Sequence, residues 1–156
     1  MAKFRAVHTN FWEDQKVRSM TREERLLFLY LLTNDCTKQI GIYEISVRLM
    51  AFETGLTLEK TKSSFESLIN KYKLMKYNPD TREIAIKNWG KYNFLTGFGK
   101  PVEDCVRSEL KEVKDRGLIL YVAEHITYKK IRDVYELFAE RPYGWVGNKE
   151  VNISRV

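Results

Sequence analysis

Nine basic side chains, Lys60, Lys62, Lys71, Lys73, Lys76, Arg82, Lys87, Lys91 and Lys100, lie between residues 60 and 100 against three acidic ones, Glu66, Asp80 and Glu83. The flanking stretches balance: residues 1–59 carry eight basic and eight acidic side chains, and residues 101–156 carry ten of each. The formal charge of +6 is therefore one local excess, and cations interleaved with small polar residues are suited to neutralising phosphate. Other chemistries find no motif. Cys36 and Cys105 are far apart, and the only histidines, His8 and His125, share no CxxC or HxxxH spacing with them. A structural zinc or a thiol enzyme is not expected, and both cysteines are read as buried free thiols. There is no phosphate-cradling glycine loop, nucleophile elbow or paired metal-ligand motif, so the chain is read as non-enzymatic, with no cofactor or metal. The acid pairs Glu23-Glu24 and Glu103-Asp104 fall in first turns of expected helices, where they complement the helix dipole.

The elements that must position these cations are readable from caps and periodicity. Thr21 with Glu24 three residues on forms a capping box that opens a helix over about 22–33, apolar nearly all round from Leu26 to Leu32. "IGIYEI" then reads as a short strand before Ser46, an N-cap for "VRLMAFET", which Gly55 ends in a left-handed cap. Thr57 caps the next helix, on which Leu58, Thr61, Phe65, Leu68, Ile69 and Tyr72 recur at steps of three and four on one face. Its opposite face carries Lys60, Ser63, Ser67, Asn70 and Lys71, with Ser64 on the edge. A β-hairpin over 73–88 follows, with Met75 and Tyr77 alternating on one arm, Ile84 and Ile86 on the other, and Asn-Pro-Asp as the turn. A lone strand cannot satisfy its backbone, so "IGIYEI" is expected to join this hairpin as a third strand.

The expected fold is mainly α with a small antiparallel β-sheet: a winged helix-turn-helix with an N-terminal arm over 1–98, a C-terminal helical extension over 99–141 and a loosely ordered tail over 142–156. "NWGKYNFLTGFGKP" reads as an irregular connector. "VEDCVRSELKEVKD" reads as a helix opened by Pro101 and stopped at Gly117, followed by helices in "LILYVAEHI" and "YKKIRDVYELFA". Phe11 and Trp12 are expected to pack the arm onto the domain. The longest apolar run, Leu26 to Leu32, is far below the roughly 18 to 20 residues a bilayer span needs, and the first residues lack a secretory h-region, so a cytoplasmic protein is expected.

A helix-turn-helix lays one helix in the DNA major groove while neighbouring groups hold the backbone. The expected DNA contacts are therefore Lys60, Ser63, Ser64, Ser67, Asn70 and Lys71 on the helix, and Lys76, Asn78, Arg82 and Lys87 on the wing. A serine-rich helix face without arginine argues for weak base readout and strong salt dependence, with a log–log slope of about −4 to −5 for four to six phosphates. The aromatics Tyr72, Tyr77, Trp89, Tyr92, Phe94 and Phe98, interleaved with lysines, describe either a stacking platform for single-stranded DNA or core packing.

"FWEDQKVRSMTREERLLFLYLLTND", "QIGIYEIS" and "IAIKNWGKYN", in this order, resemble the N-terminal domain of phage replisome-organizer proteins, relatives of the DnaD replication-initiation family. The resemblance covers about residues 4–110. It implies a winged helix that binds duplex DNA, self-associates as a homo-oligomer, and brings the replicative helicase or other replisome proteins to an origin. Two alternatives are a winged-helix transcriptional regulator and a protein-interaction module that acts on a replication or host protein without touching DNA.

Overall fold

The computed structural model describes residues 3–94 and 98–139, and the expected tail over 142–156 lies outside them. After a single 3-10 turn, Thr9–Trp12, come α1 (Gln15–Ser19) and α2 (Arg22–Thr33). Asp14 caps α1 through the amides of Lys16 and Val17, and the Thr21–Glu24 capping box opens α2 as the sequence predicts. Strand β1 (Ile42–Glu44) precedes α3 (Val47–Thr54), which ends at Gly55 with a φ of 76°, and Thr57 caps α4 (Leu58–Glu66). The helix continues through one π turn, Ser67–Lys71, closed by the Tyr72 amide on the Ser67 carbonyl. Strands β2 (Met75–Asn78) and β3 (Glu83–Ile86) complete the hairpin.

The three strands form one antiparallel sheet in the order β1-β3-β2. The expected third strand is thus present. Its register defines rows across the sheet: Tyr43, Ile84 and Tyr77 in one, Ile42, Ala85 and Lys76 in the next, and Glu44, Glu83 and Asn78 in the third. Side chains alternate faces with period two, so the first row points opposite to the other two. On the first face, Tyr43, Ile84, Tyr77, Met75 and Ile86 join Leu27, Leu31, Met50, Phe65 and Leu68 in one buried core with α2, α3 and α4.

The opposite face is also covered. The helix α5 (Trp89–Asn93) follows β3 and adds Trp89 to the first core, while α6 (Lys100–Glu112), α7 (Arg116–Ala123) and α8 (Lys129–Ala139) place Val106, Leu110, Ile119, Val122, Ile131 and Tyr135 in a second core with Ile40, Ile42 and Ala85. All four residues of β3 are buried, as expected of a central strand with layers on both faces. Polar groups bolt the second layer on. The buried Glu83 carboxylate accepts the amides of Lys114 (3.0 Å) and Asp115 (2.8 Å), Glu109 accepts those of Gln39 and Ile40, and the Tyr135 hydroxyl donates to the Ile40 carbonyl.

Several expectations are corrected. Trp89–Asn93 is a helix, where the sequence reads as an irregular connector. Gly117 does not stop α6; that helix ends at Glu112, and Gly117 lies in the first turn of α7, its amide donating to the capping Asp115. The cysteines are free but not buried: Cys105 is exposed and Cys36 half-buried. Phe11 is buried, whereas Trp12 remains 59% exposed. No helix among the described residues is long and apolar enough to cross a membrane.

Candidate nucleic-acid interface

The helix from Leu58 to Lys71 is held along one side by α2 and α3, with Thr61, Ser64, Phe65, Leu68 and Ile69 buried. Ser64, expected on the edge of the outer face, is therefore removed from it: α4 is clasped by two helices, so its buried arc is wider than a single stripe. Lys60, Ser63, Asn70 and Lys71 are exposed and Ser67 is half-buried, which brings the rest of the expected helix set onto one outward arc. The π turn adds a residue to the last turn before Lys73 ends the helix in the left-handed region at a φ of 54°.

Charge along this arc is uneven. Glu59 and Glu66, both exposed, are the i,i+4 neighbours of Ser63 and Asn70 and border this arc on the side away from Lys60. The Lys60 ammonium is 4.0 Å from the Glu23 carboxylate at the start of α2. Glu23 is held below the ordinary carboxylate range, first by its backbone hydrogen bond and then by the charges of Lys60 and Arg22. The cationic edge of α4 thus adjoins α2. Lys71 Nζ stands 5.2 Å from the centroid of the Tyr72 ring.

The hairpin residues expected to touch DNA are placed differently from expectation. Lys76 and Asn78 share the sheet face that the C-terminal helices cover: the Lys76 ammonium lies 4.8 Å over the Tyr121 ring, and the Asn78 amide donates to Asp115 at 2.9 Å. Lys87 is half-buried and close enough to His125 that its charge, after burial, helps lower that imidazole's pKa. The cationic excess of the sequence is therefore divided between two faces of the molecule. Of the four expected wing contacts only Arg82 is exposed, at the hairpin tip with the exposed Asp80 two residues before it, and it holds a φ of 59°. Its carbonyl accepts the Ile45 amide at 2.9 Å, so the tip is tied to the entry of α3.

The aromatic residues divide in favour of packing. Tyr72, Tyr77, Trp89 and Phe94 are buried, and Tyr92, 37% exposed, stacks against His8 at 5.1 Å. They form no continuous exposed platform for single strands. A separate cleft of about 360 Å³ opens between the N-terminal segment and Phe28, Trp89 and Tyr92. Among the described residues no group of His, Cys, Asp and Glu could hold a metal.

Sequence reasoning missed the cations of α1 and the α1–α2 junction, because the first 59 residues are neutral in sum. It also missed Arg48, exposed on α3 at the side to which the hairpin tip is tied. No family model, curated protein or solved structure matches the chain.

Proposed function

We propose that this chain is a non-enzymatic replication-initiation protein of a phage or prophage that binds duplex DNA through the outer arc of the Leu58–Lys71 helix. One observation carries the reading: Lys60, Ser63, Asn70 and Lys71 lie exposed on a helix whose other side is locked into the core. A rigid helix whose free side carries small polar and cationic residues along one edge, with Glu59 and Glu66 along the other, can turn the first edge to a major groove flanked by phosphates. The helix–strand–helix–helix–hairpin order and the sheet order β1-β3-β2 support the winged-helix reading. In this chain the wing is short and contributes Arg82 rather than Lys76 or Asn78.

The assignment to replication rests on the resemblance to replisome organizers. The residues that carry it lie in structural joints. The Asn34 amide donates to the Tyr43 hydroxyl, which donates to the Leu31 carbonyl, and Gly41 packs on Trp89. Self-association and contact with a replicative helicase are part of the same proposal.

Anisotropy of labelled duplex and single-stranded oligonucleotides over a salt series tests it. Duplex binding with a log–log slope of about −4 is expected, and Lys60→Gln/Lys71→Gln is expected to bring the slope about 2 closer to zero. A flat, salt-independent signal would sink the DNA reading.

A second reading, a protein-interaction module, is favoured by Phe52, which is 84% exposed on α3 beside the half-buried Leu56 and partly exposed Leu58. An apolar aromatic at a helix turn is an anchor for protein contacts.

A further inference from the structure

The fold gives the α1–α2 junction a new neighbourhood, because that junction is tied to the α4 helix at two points. Near one end of the helix the Tyr72 hydroxyl donates to the Ser19 carbonyl at 3.2 Å, and the Lys16 ammonium donates to the Tyr72 carbonyl at 2.8 Å. Near the other end Lys60 meets Glu23. The segment from Ser19 to Glu23 therefore runs beside the helix, with the exposed Arg22 between the two ties.

This places Lys16 and Arg22 beside the helix that carries Lys60 and Lys71 and ends at Lys73, all five exposed. The acids close to this row are engaged: Asp14 caps α1, and Glu23 faces Lys60. Glu59 and Glu66 border the α4 arc on the side away from Lys60. Lys16 uses one of its three protons on the Tyr72 carbonyl, which leaves two for an acceptor, whereas Arg18, on the opposite flank of α1, donates its Nε to the Trp12 carbonyl at 3.2 Å and lies outside the row.

We infer that Lys16 and Arg22 form a second contact row for the sugar-phosphate backbone of duplex DNA, alongside the helix that faces the groove. The inference rests on the duplex-binding reading above and deepens it. Arginine forks and lysine point charges are the groups that phosphate oxygens accept from. A row set beside a groove-facing helix meets the strand that borders the groove.

The test is anisotropy of a labelled 20-base-pair duplex over a salt series with four proteins: wild type, Lys16→Gln/Arg22→Gln, Arg22→Gln alone, and the equal-charge control Lys111→Gln/Lys130→Gln, whose two lysines are exposed on α6 and α8. The double variant is expected to bind at least about fivefold more weakly with a slope about 1.8 closer to zero, and Arg22→Gln with a slope about 0.9 closer, while the control matches wild type. Equal losses in the control and the double variant would reduce the effect to bulk charge and overturn the row. Wild-type slopes in both variants of the row, with Lys60→Gln/Lys71→Gln still weakened, would overturn the row and leave the groove-facing helix standing. No duplex binding by the wild type would overturn both. Arg22→Gln serves if the double variant unfolds, since the Arg22 side chain lies exposed at the first position of α2.

Discussion

The backbone of Gly41 lies against the indole of Trp89 so closely that a Cβ on Gly41 would stand 2.3 Å from the Trp89 Cγ, and Gly41 holds a φ of 76°. The indole Nε1 donates to the Gln39 carbonyl at 2.9 Å, and the Arg5 guanidinium sits 5.5 Å from the ring centroid. This joint ties the start of β1 to α5 across 50 residues of chain. Both a left-handed backbone and the absence of a side chain are required here, and only glycine supplies both.

Gly41→Ala is therefore expected to destabilise the protein by about 2–5 kcal/mol, combining the left-handed cost with overpacking. Trp89→Ala is expected to cost about 3–5 kcal/mol. In the double variant the alanine no longer meets the indole, so its cost should fall below the sum of the two. Denaturant unfolding of the three variants checks this, and strict additivity would show that the two residues do not meet.

The buried Glu83 carboxylate holds the α6–α7 loop to the central strand through two amides. Glu83→Ala leaves those amides without their acceptor and is expected to cost about 1–3 kcal/mol. Amide hydrogen exchange should rise at Lys114 and Asp115 before it rises in α2. Uniform acceleration across the chain would contradict a local anchoring role.

Lys76 is predicted to be silent in DNA binding. Its ammonium sits over Tyr121 on the covered face of the sheet, so Lys76→Gln should change the duplex salt slope by less than about 0.3, against about 0.9 for one lost phosphate contact. A slope change equal to that of Lys60→Gln would mean that the C-terminal layer leaves this face when DNA binds.

Phe52→Ser should leave stability within about 0.5 kcal/mol of wild type, since the ring is largely in solvent. Duplex affinity should also be unchanged, because Phe52 lies on α3 and not on the outer arc of α4. A lower solution mass for the variant by sedimentation would support the protein-contact reading of α3.

Lys114 donates a hydrogen bond to Glu44, and this bond, followed by the Lys114 charge, holds the Glu44 carboxyl below its ordinary value of 4.5. A carboxylate made more acidic by folding contributes stability above its unfolded pKa and loses it as pH falls through the folded value. The thermal midpoint should therefore decline with acid below about pH 4.5, and Lys114→Met should flatten part of that decline. Parallel acid limbs for the two proteins would remove the pair from the account.

Much of the fold is local and was legible in the residues. The Thr21–Glu24 box, the Ser46 and Thr57 caps, Gly55 in the left-handed cap and the alternation of Met75, Tyr77, Ile84 and Ile86 all act within a turn of helix or along a strand. Caps and periodicity are set by near neighbours, so sequence alone determined the helices at Arg22–Thr33 and Val47–Thr54, the hairpin, and the apolar side of α4. Tertiary contacts decided which polar residues remain free. Asn78 meets Asp115 from 37 positions away, the C-terminal helices cover Lys76, and the clasp of α2 and α3 buries Ser64. They also set the cations of a neutral N-terminal stretch beside Lys71, through Lys16 on a carbonyl 56 residues distant. A charge count along the chain cannot register such proximity, because which side chains face the same water is settled only when distant segments pack.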